Sequence, residues 1–310
     1  MDLTSARNRI SPYIHKTPLI HSETFDQMVK GTVYFKAENL QKVGAFKARG
    51  AINSLLLLNE EQQKKGVGTH SSGNHGQALA WAAKQLGINA TVVVPSNAPK
   101  VKVAAMIGYG AEVIFCEPTL AARESTLLEV LERTGGAEVH PYNQIPTILG
   151  QSTCAQEIME ELPDLDAIVS PLGGGGLLSG TLLATAQKDI DVYGVEPINA
   201  NDGWQSLKAG KLIPSVNPNT LADGLKTSLG SLTYPIIRDG VKDILTVSEE
   251  DIVKWTYWIW QRTKQIIEPS AAVGIAAVYE NKSLFEGKKT TVILTGGNVD
   301  ISKMASQFIG

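Results

Sequence analysis

Cysteine is scarce: Cys116 and Cys154 are the only two in 310 residues, too few for a disulfide framework and without metal-ligand spacing, so both read as buried thiols. Neither sign of charge is in excess. The 28 Lys+Arg against 31 Asp+Glu give a net −3, and the only basic runs are short ones such as Lys288-Lys289, so there is no broad positive field for nucleic acid. No apolar run approaches the ~20 residues of a membrane span, and MDLTSARNRI lacks the charged-then-apolar layout of a secretory signal. The expected setting is the cytoplasm, away from membranes. Low-complexity segments, repeats and Pro/Gly/Ser linkers are also missing, so composition locates no domain boundary. With 43% hydrophobic residues the composition is that of a soluble globular chain, which excludes a disordered or fibrous protein, and the length suits about two domains or one large α/β domain.

Short β-branched runs alternate with helical stretches: VYFKAEN at 33–39, a helix over 47–58, ATVVVP at 90–95, a helix over 98–108, EVIFC at 112–116 and a helix over 119–134. After a helical stretch at 145–162 the alternation resumes with DAIVSPLG at 166–173, a helix from about 176, VYGVEP at 192–197 and TTVILTGG at 290–297. Such alternation argues parallel sheets with crossover helices in two α/β units. The stretch 251–264 carries Trp255, Tyr257, Trp258 and Trp260 at near-helical spacing, the pattern of a buried or subunit-facing helix.

Four motifs carry chemistry. Gly173-Gly174-Gly175-Gly176-Leu177-Leu178-Ser179-Gly180 follows a strand and opens a helix, where free N–H groups and the helix dipole favour a phosphate. Four consecutive glycines exceed what helix–sheet packing needs. A dinucleotide site fits only partly, because Leu178 stands where the third glycine of G-x-G-x-x-G belongs. Gly44-Ala45-Phe46-Lys47-Ala48-Arg49-Gly50 sets a lysine beside an aromatic at a helix start, where desolvation and the helix end lower its pKa toward that of a nucleophilic amine, although by itself a solvated lysine is the commoner reading. Thr69-His70-Ser71-Ser72-Gly73-Asn74-His75-Gly76 runs from strand into helix. There Asn74 or a serine either caps the helix or joins a ligand site at the strand ends, and the missing G-x-S-x-G argues against a serine hydrolase. Leu294-Thr295-Gly296-Gly297-Asn298 delivers another small polar residue to the same edge.

In this order the four motifs resemble the fold-type II pyridoxal-phosphate enzymes, the tryptophan synthase β-like group, from Lys16-Thr17-Pro18 to Asn298-Val299-Asp300. The resemblance implies two parallel-sheet, three-layer α/β/α domains, the smaller (60–145) inserted in the larger (1–59 and 146–310). It implies that Lys47 is the Schiff-base lysine, Phe46 its neighbour beside the cofactor ring and Asn74 the ligand of the ring hydroxyl. Gly173, Gly174, Gly175, Gly176 and Leu177 match the phosphate loop. Thr295 stands where the family usually has a serine facing the pyridine nitrogen, so the hydroxyl is kept and a methyl added.

Within the group the sequence is most similar to the serine racemase / L-serine–threonine dehydratase family. Ser72 before Gly-Asn, where threonine dehydratases carry alanine, and Glu268-Pro269-Ser270-Ala271, where they read Glu-Gly, favour the racemase branch. So does Glu196-Pro197-Ile198-Asn199-Ala200-Asn201-Asp202, which resembles a divalent-metal motif with Glu196, the Ala200 carbonyl and Asp202 as ligands. These hard oxygen donors suit Mg²⁺, or Ca²⁺ or Mn²⁺. The resemblance further implies that Lys47 takes the Cα proton and Ser72 acts on the opposite face, giving racemisation, or that loss of the β-hydroxyl leads to pyruvate. Ser71, Ser72, Asn74 and His75 would hold the substrate carboxylate at a helix N-terminus, with Arg123 and Asp223 on the substrate side. Thr227 replaces a serine common in the racemases. The expected assembly is a homodimer acting on a small β-hydroxy amino acid. The alternatives are a threonine or threo-3-hydroxyaspartate dehydratase with little racemisation, and a non-catalytic protein that binds pyridoxal phosphate or amino acids.

Overall fold

The computed structural model describes residues 2–308. Among these, the chain opens with β1 (Leu19–His21) and β2 (Thr32–Ala37), builds β3 (Val67–His70), β4 (Ala90–Pro95), β5 (Glu112–Cys116) and β6 (Ala137–Glu138), and returns with β7 (Ala167–Pro171), β8 (Asp191–Pro197), β9 (Asp243–Val247) and β10 (Lys289–Leu294). Two sheets result, in the orders β1-β2-β10-β7-β8-β9 and β5-β4-β3-β6. The four-stranded sheet lies wholly between β2 and β7 in the chain. Every pairing is parallel except that of β1 with β2, so the carboxyl ends of the parallel strands in each sheet share one edge, where α/β folds bind ligands.

β-branched residues make the inner strands. ATVVVP of β4 is buried along its whole length, as expected of a parallel strand covered on both faces. The runs 33–39, 166–173 and 290–297 leave the sheet early, at Ala37, Pro171 and Leu294. Their last residues form the loops that carry the motifs. Cys154 is buried, but Cys116 is only half-buried, because β5 is an edge strand; the expectation of two buried thiols is corrected there.

The core of the large sheet gathers Phe25, Phe35, Trp255 and Ile275, and that of the small sheet Ile52, Leu55, Leu79 and Val92. The Trp-rich stretch is the helix Glu249–Thr263, started by Ser248, whose side chain accepts from the Asp251 N–H. It buries Trp255 edge-on against Phe25 and leaves Tyr257 exposed. Helix Lys47–Leu56 meets helix Ile145–Glu161 at glycine contacts: a Cβ on Gly50 would lie 2.5 Å from Gln151, and one on Gly150 2.4 Å from the Arg49 carbonyl oxygen. This close approach sets where Lys47 projects. No helix among the described residues is long and apolar enough to cross a membrane.

Candidate active site

Loops after β2, β3, β7, β8 and β10 carry the motifs. After β2 two short 3-10 turns lead to Phe46, which donates its N–H to the Thr295 carbonyl oxygen at 3.0 Å, while Ala45 bridges to Gly296. The loop after β10 thus braces the start of helix Lys47–Leu56. Lys47 Nζ lies 5.1 Å from the centre of the Phe46 ring and donates to the Pro141 carbonyl oxygen at 2.8 Å. Desolvation in the cleft lowers its pKa to about 8, against an opposing pull from Glu268. An amine of this kind is a far better nucleophile near neutrality than a solvated lysine.

The segment 71–74 does not cap its helix. Helix Asn74–Leu86 starts at Gly73 with no side-chain cap, which removes the helix-capping reading of Asn74 and Ser72; Ser71 Oγ accepts only the N–H of Gly73 itself, at 3.3 Å. Instead the Asn74 Nδ2 donates to Glu268 at 2.8 Å, and its Oδ1 accepts from Asn298 at 2.9 Å. Glu268 is buried, its Oε2 has no partner, and desolvation pushes its pKa to about 8. Ser71 and Ser72, just ahead of Asn74 in the chain, are half-buried. The His75 ring turns inward, where Nε2 donates to the Val139 carbonyl oxygen at 2.9 Å and burial drives its pKa to about 3. Only its backbone faces the helix start.

After β7, Gly175 takes a left-handed φ of +88° and helix Gly176–Thr185 begins without a side-chain cap, an arrangement of N–H groups and helix dipole that favours an anion. Packing uses every glycine of the loop as well. A Cβ on Gly173 would lie 3.0 Å from the Gly224 carbonyl oxygen, on Gly174 2.4 Å from the Tyr142 ring, on Gly175 2.7 Å from Ile237 and on Gly176 2.9 Å from Tyr142. The expectation that four glycines exceed packing needs is therefore overturned. Leu177 is buried in one cluster with Phe46, and Thr295 is buried at the end of β10.

Arg123 is half-buried, and its charge helps burial lower the pKa of His70. Asp223 is exposed and pairs with Lys102 at 2.5 Å, a contact no sequence signal announced. Tyr142, whose ring meets His140 edge-on at 4.7 Å, also escaped notice. His70, Glu138 and His140 bring ligand atoms within 4.8 Å of one another. However, His140 Nδ1 accepts from the Tyr142 and Asn143 N–H groups, so its Nε2 is protonated and offers a cation no lone pair.

After β8, both carboxylate oxygens of buried Glu196 accept N–H groups, from Gly203 at 2.9 Å and Trp204 at 2.8 Å. Asp202 Oδ2 accepts from Leu229 at 3.2 Å, while its buried Oδ1 has no partner. Burial raises the two carboxyls to about 8 and about 6. The Ala200 residue between them is buried too.

A family described as pyridoxal-phosphate dependent enzyme matches residues 10–297. The chain belongs to this family. It is 45% identical to the serine racemase of Dictyostelium discoideum over 98% of this chain and 96% of that protein. It is 44% identical to the L-threo-3-hydroxyaspartate ammonia-lyase of Saccharomyces cerevisiae over 100% and 96% of the two chains. Among solved structures, maize serine racemase superposes with a TM-score of 0.95 at 42% identity, covering 99% of this chain and 95% of that one. The site suits the cofactor of this enzyme family: a desolvated amine beside an aromatic ring, an uncapped helix start behind a glycine loop, and a carboxamide already oriented at the third strand end.

Proposed function

We propose that the protein is a serine racemase that also converts L-serine to pyruvate and ammonia. The observation that carries this reading is Lys47, a half-buried amine whose pKa desolvation lowers to about 8, in a chain that also has Ser72 ahead of helix Asn74–Leu86. Pyridoxal phosphate supplies the electron sink that makes the substrate Cα–H acidic. Lys47 holds the cofactor and takes the Cα proton at Nζ. Ser72 Oγ gives or takes a proton on the other face, and the two together invert the centre. Where the β-hydroxyl leaves instead, the product is pyruvate plus ammonia.

In the same reading Phe46, Asn74 and Thr295 would hold the cofactor, Phe46 beside its ring, Asn74 as a donor to its hydroxyl and Thr295 as a neutral partner for its nitrogen. The N–H groups of Gly173 to Leu177 hold the phosphate. Ser71, Ser72, Asn74 and His75 present the helix start to the substrate carboxylate, while Arg123 and Asp223 border the substrate side. A cation, Mg²⁺ or else Ca²⁺ or Mn²⁺, is held by Glu196, the Ala200 carbonyl and Asp202. The unpartnered buried Oδ1 of Asp202 supports it, and its task is to fix the segment after β8. We read the chain as a cytoplasmic homodimer with a large domain over 1–59 and 146–310 and a small one over 60–145.

A second reading, dehydration of L-threo-3-hydroxyaspartate, has support from Arg123, a half-buried cation suited to a second carboxylate, and from the yeast relative. One experiment separates the two: L-serine, D-serine, L-threonine and threo-3-hydroxyaspartate are each assayed for keto-acid release and for chirality of the remaining amino acid. D-serine formed from L-serine supports the racemase. Keto acid from hydroxyaspartate alone sinks it.

A further inference from the structure

Asn298 donates its Nδ2 to two oxygens at once, the Val43 carbonyl at 2.7 Å and Asn74 Oδ1 at 2.9 Å. The first lies on strained backbone. Val43 has φ +55° and ψ +15°, a left-handed conformation that a β-branched residue strongly disfavours. Gly44 follows at φ +68°, and a Cβ there would lie 2.9 Å from Asn298 Oδ1. The turn at 43–44 therefore wraps the Asn298 carboxamide, with Gly297 donating to the Gly44 carbonyl oxygen at 2.9 Å, and three residues beyond Gly44 the chain reaches Lys47.

The second contact inherits its polarity from the first. A main-chain carbonyl can only accept, so Val43 decides that Asn298 presents nitrogen. That nitrogen then meets the oxygen end of Asn74, which leaves Asn74 Nδ2 to donate to Glu268 at 2.8 Å. A carboxamide nitrogen carries two hydrogens, so one N–H of Asn74 is left over. We propose that Asn298 is a positioning residue for the cofactor: through Val43 it holds the turn that delivers Lys47, and through Asn74 it keeps an N–H, not a carbonyl, available to the ring hydroxyl. This rests on the reading of Asn74 as the ligand of that hydroxyl.

The test uses the holoenzyme. The visible absorption band of the bound cofactor is titrated with pH, and the cofactor Kd is measured, for the wild type, Asn74→Ala, Asn298→Asp, Asn298→Ala and Asn298→Ala/Val43→Gly. Asn298→Asp is isosteric but lacks the donor, so both Asn298 single variants should weaken cofactor binding roughly tenfold and move the band midpoint in the direction given by Asn74→Ala. Glycine accepts positive φ without strain, so the double variant should regain part of the affinity while keeping the shifted band. If Asn74→Ala moves the band and the Asn298 variants do not, or if they lose only the melting temperature of the apoprotein, Asn298 is merely structural and the inference is overturned. If Asn74→Ala itself leaves the band unmoved, the reading of Asn74 fails first and the inference falls with it.

Discussion

Arg49 and Glu157 are joined in the interior by two parallel N–H···O bonds of 2.7 and 2.8 Å. The adjacent Nε/Nη2 edge of the same guanidinium makes a second pair to Glu38, both at 2.8 Å, and Lys36 reaches Glu157 at 2.8 Å. Two cations thus balance two anions in a space closed to water. Because Arg49 stands two residues after Lys47 in the same helix, this buried lattice anchors the base of the site to helix Ile145–Glu161.

Removing one member should therefore cost more than the pair contributes. Arg49→Met is expected to lower stability by about 3–5 kcal/mol, since it leaves buried carboxylates without compensation. Replacing Glu38 and Glu157 by Gln in the same chain should recover part of the loss. Urea unfolding of the apoproteins measures both, and a loss below about 1 kcal/mol for Arg49→Met would mean the lattice is wetter than described.

Lys47→Ala should abolish turnover of every substrate while the protein folds as before, because the amine lines the cleft and fills no core space. Borohydride should fix the cofactor to Lys47 in the wild type. Peptide mapping that finds the label on another lysine would remove the site as assigned.

Imine formation should have an unusually low pH midpoint. Lys47 is lowered from 10.5 to about 8, first by desolvation, with Glu268 pulling the other way. The reactive form is the neutral amine, so the rate at which apoprotein takes up pyridoxal phosphate should rise with pH and level off above about 8. Below that pH the free-amine fraction exceeds that of a solvated lysine by roughly 300-fold, the equivalent of the difference in pKa. Stopped-flow absorbance from pH 6 to pH 10 reads the midpoint; a value near 10.5 contradicts a desolvated amine.

Ser72→Ala should end racemisation in both directions while L-serine dehydration stays substantially active, and D-serine should cease to be a substrate. A hydroxyl is a weak acid in water, so it serves only if geometry holds it within reach of Cα. Chiral chromatography and pyruvate assays on one set of reactions decide. Parallel loss of D-serine formation and pyruvate release is the outcome against Ser72.

Chelation should lower the melting temperature and turnover together, because a ligand that binds only the native state stabilises it by mass action. Asp202→Asn should reproduce the effect of EDTA and make the protein insensitive to added Mg²⁺. Metal-free protein, verified by elemental analysis, that melts and turns over as before would leave Glu196 and Asp202 as a buried carboxylate pair only.

Much of this was legible in the sequence because its signals are local. Runs such as ATVVVP and EVIFC are strands by their side chains, and Gly-rich or polar residues after a strand mark the binding edge whatever the rest of the chain does. The motifs around Lys47, Asn74, Gly173 and Thr295, weak one by one, together carried the resemblance to the family. Helix capping by Asn74 was a fair local inference, and it failed because Glu268 and Asn298, 194 and 224 residues away, compete for the same carboxamide.

The sequence by itself determined the alternation of strands and helices and the family, and it supplied the candidates Lys47 and Ser72 for the proposed chemistry, since each depends on residues near one another in the chain. Only the tertiary structure decided that Lys47 is desolvated, that Lys102 pairs with Asp223 across the cleft, that Tyr142 fills the space over Gly174, and that Asp202 keeps an unpartnered oxygen. Burial, pKa and hydrogen-bond polarity are properties of what surrounds a group, and here those surroundings come from strands and helices far apart in sequence that parallel pairing brings to one edge.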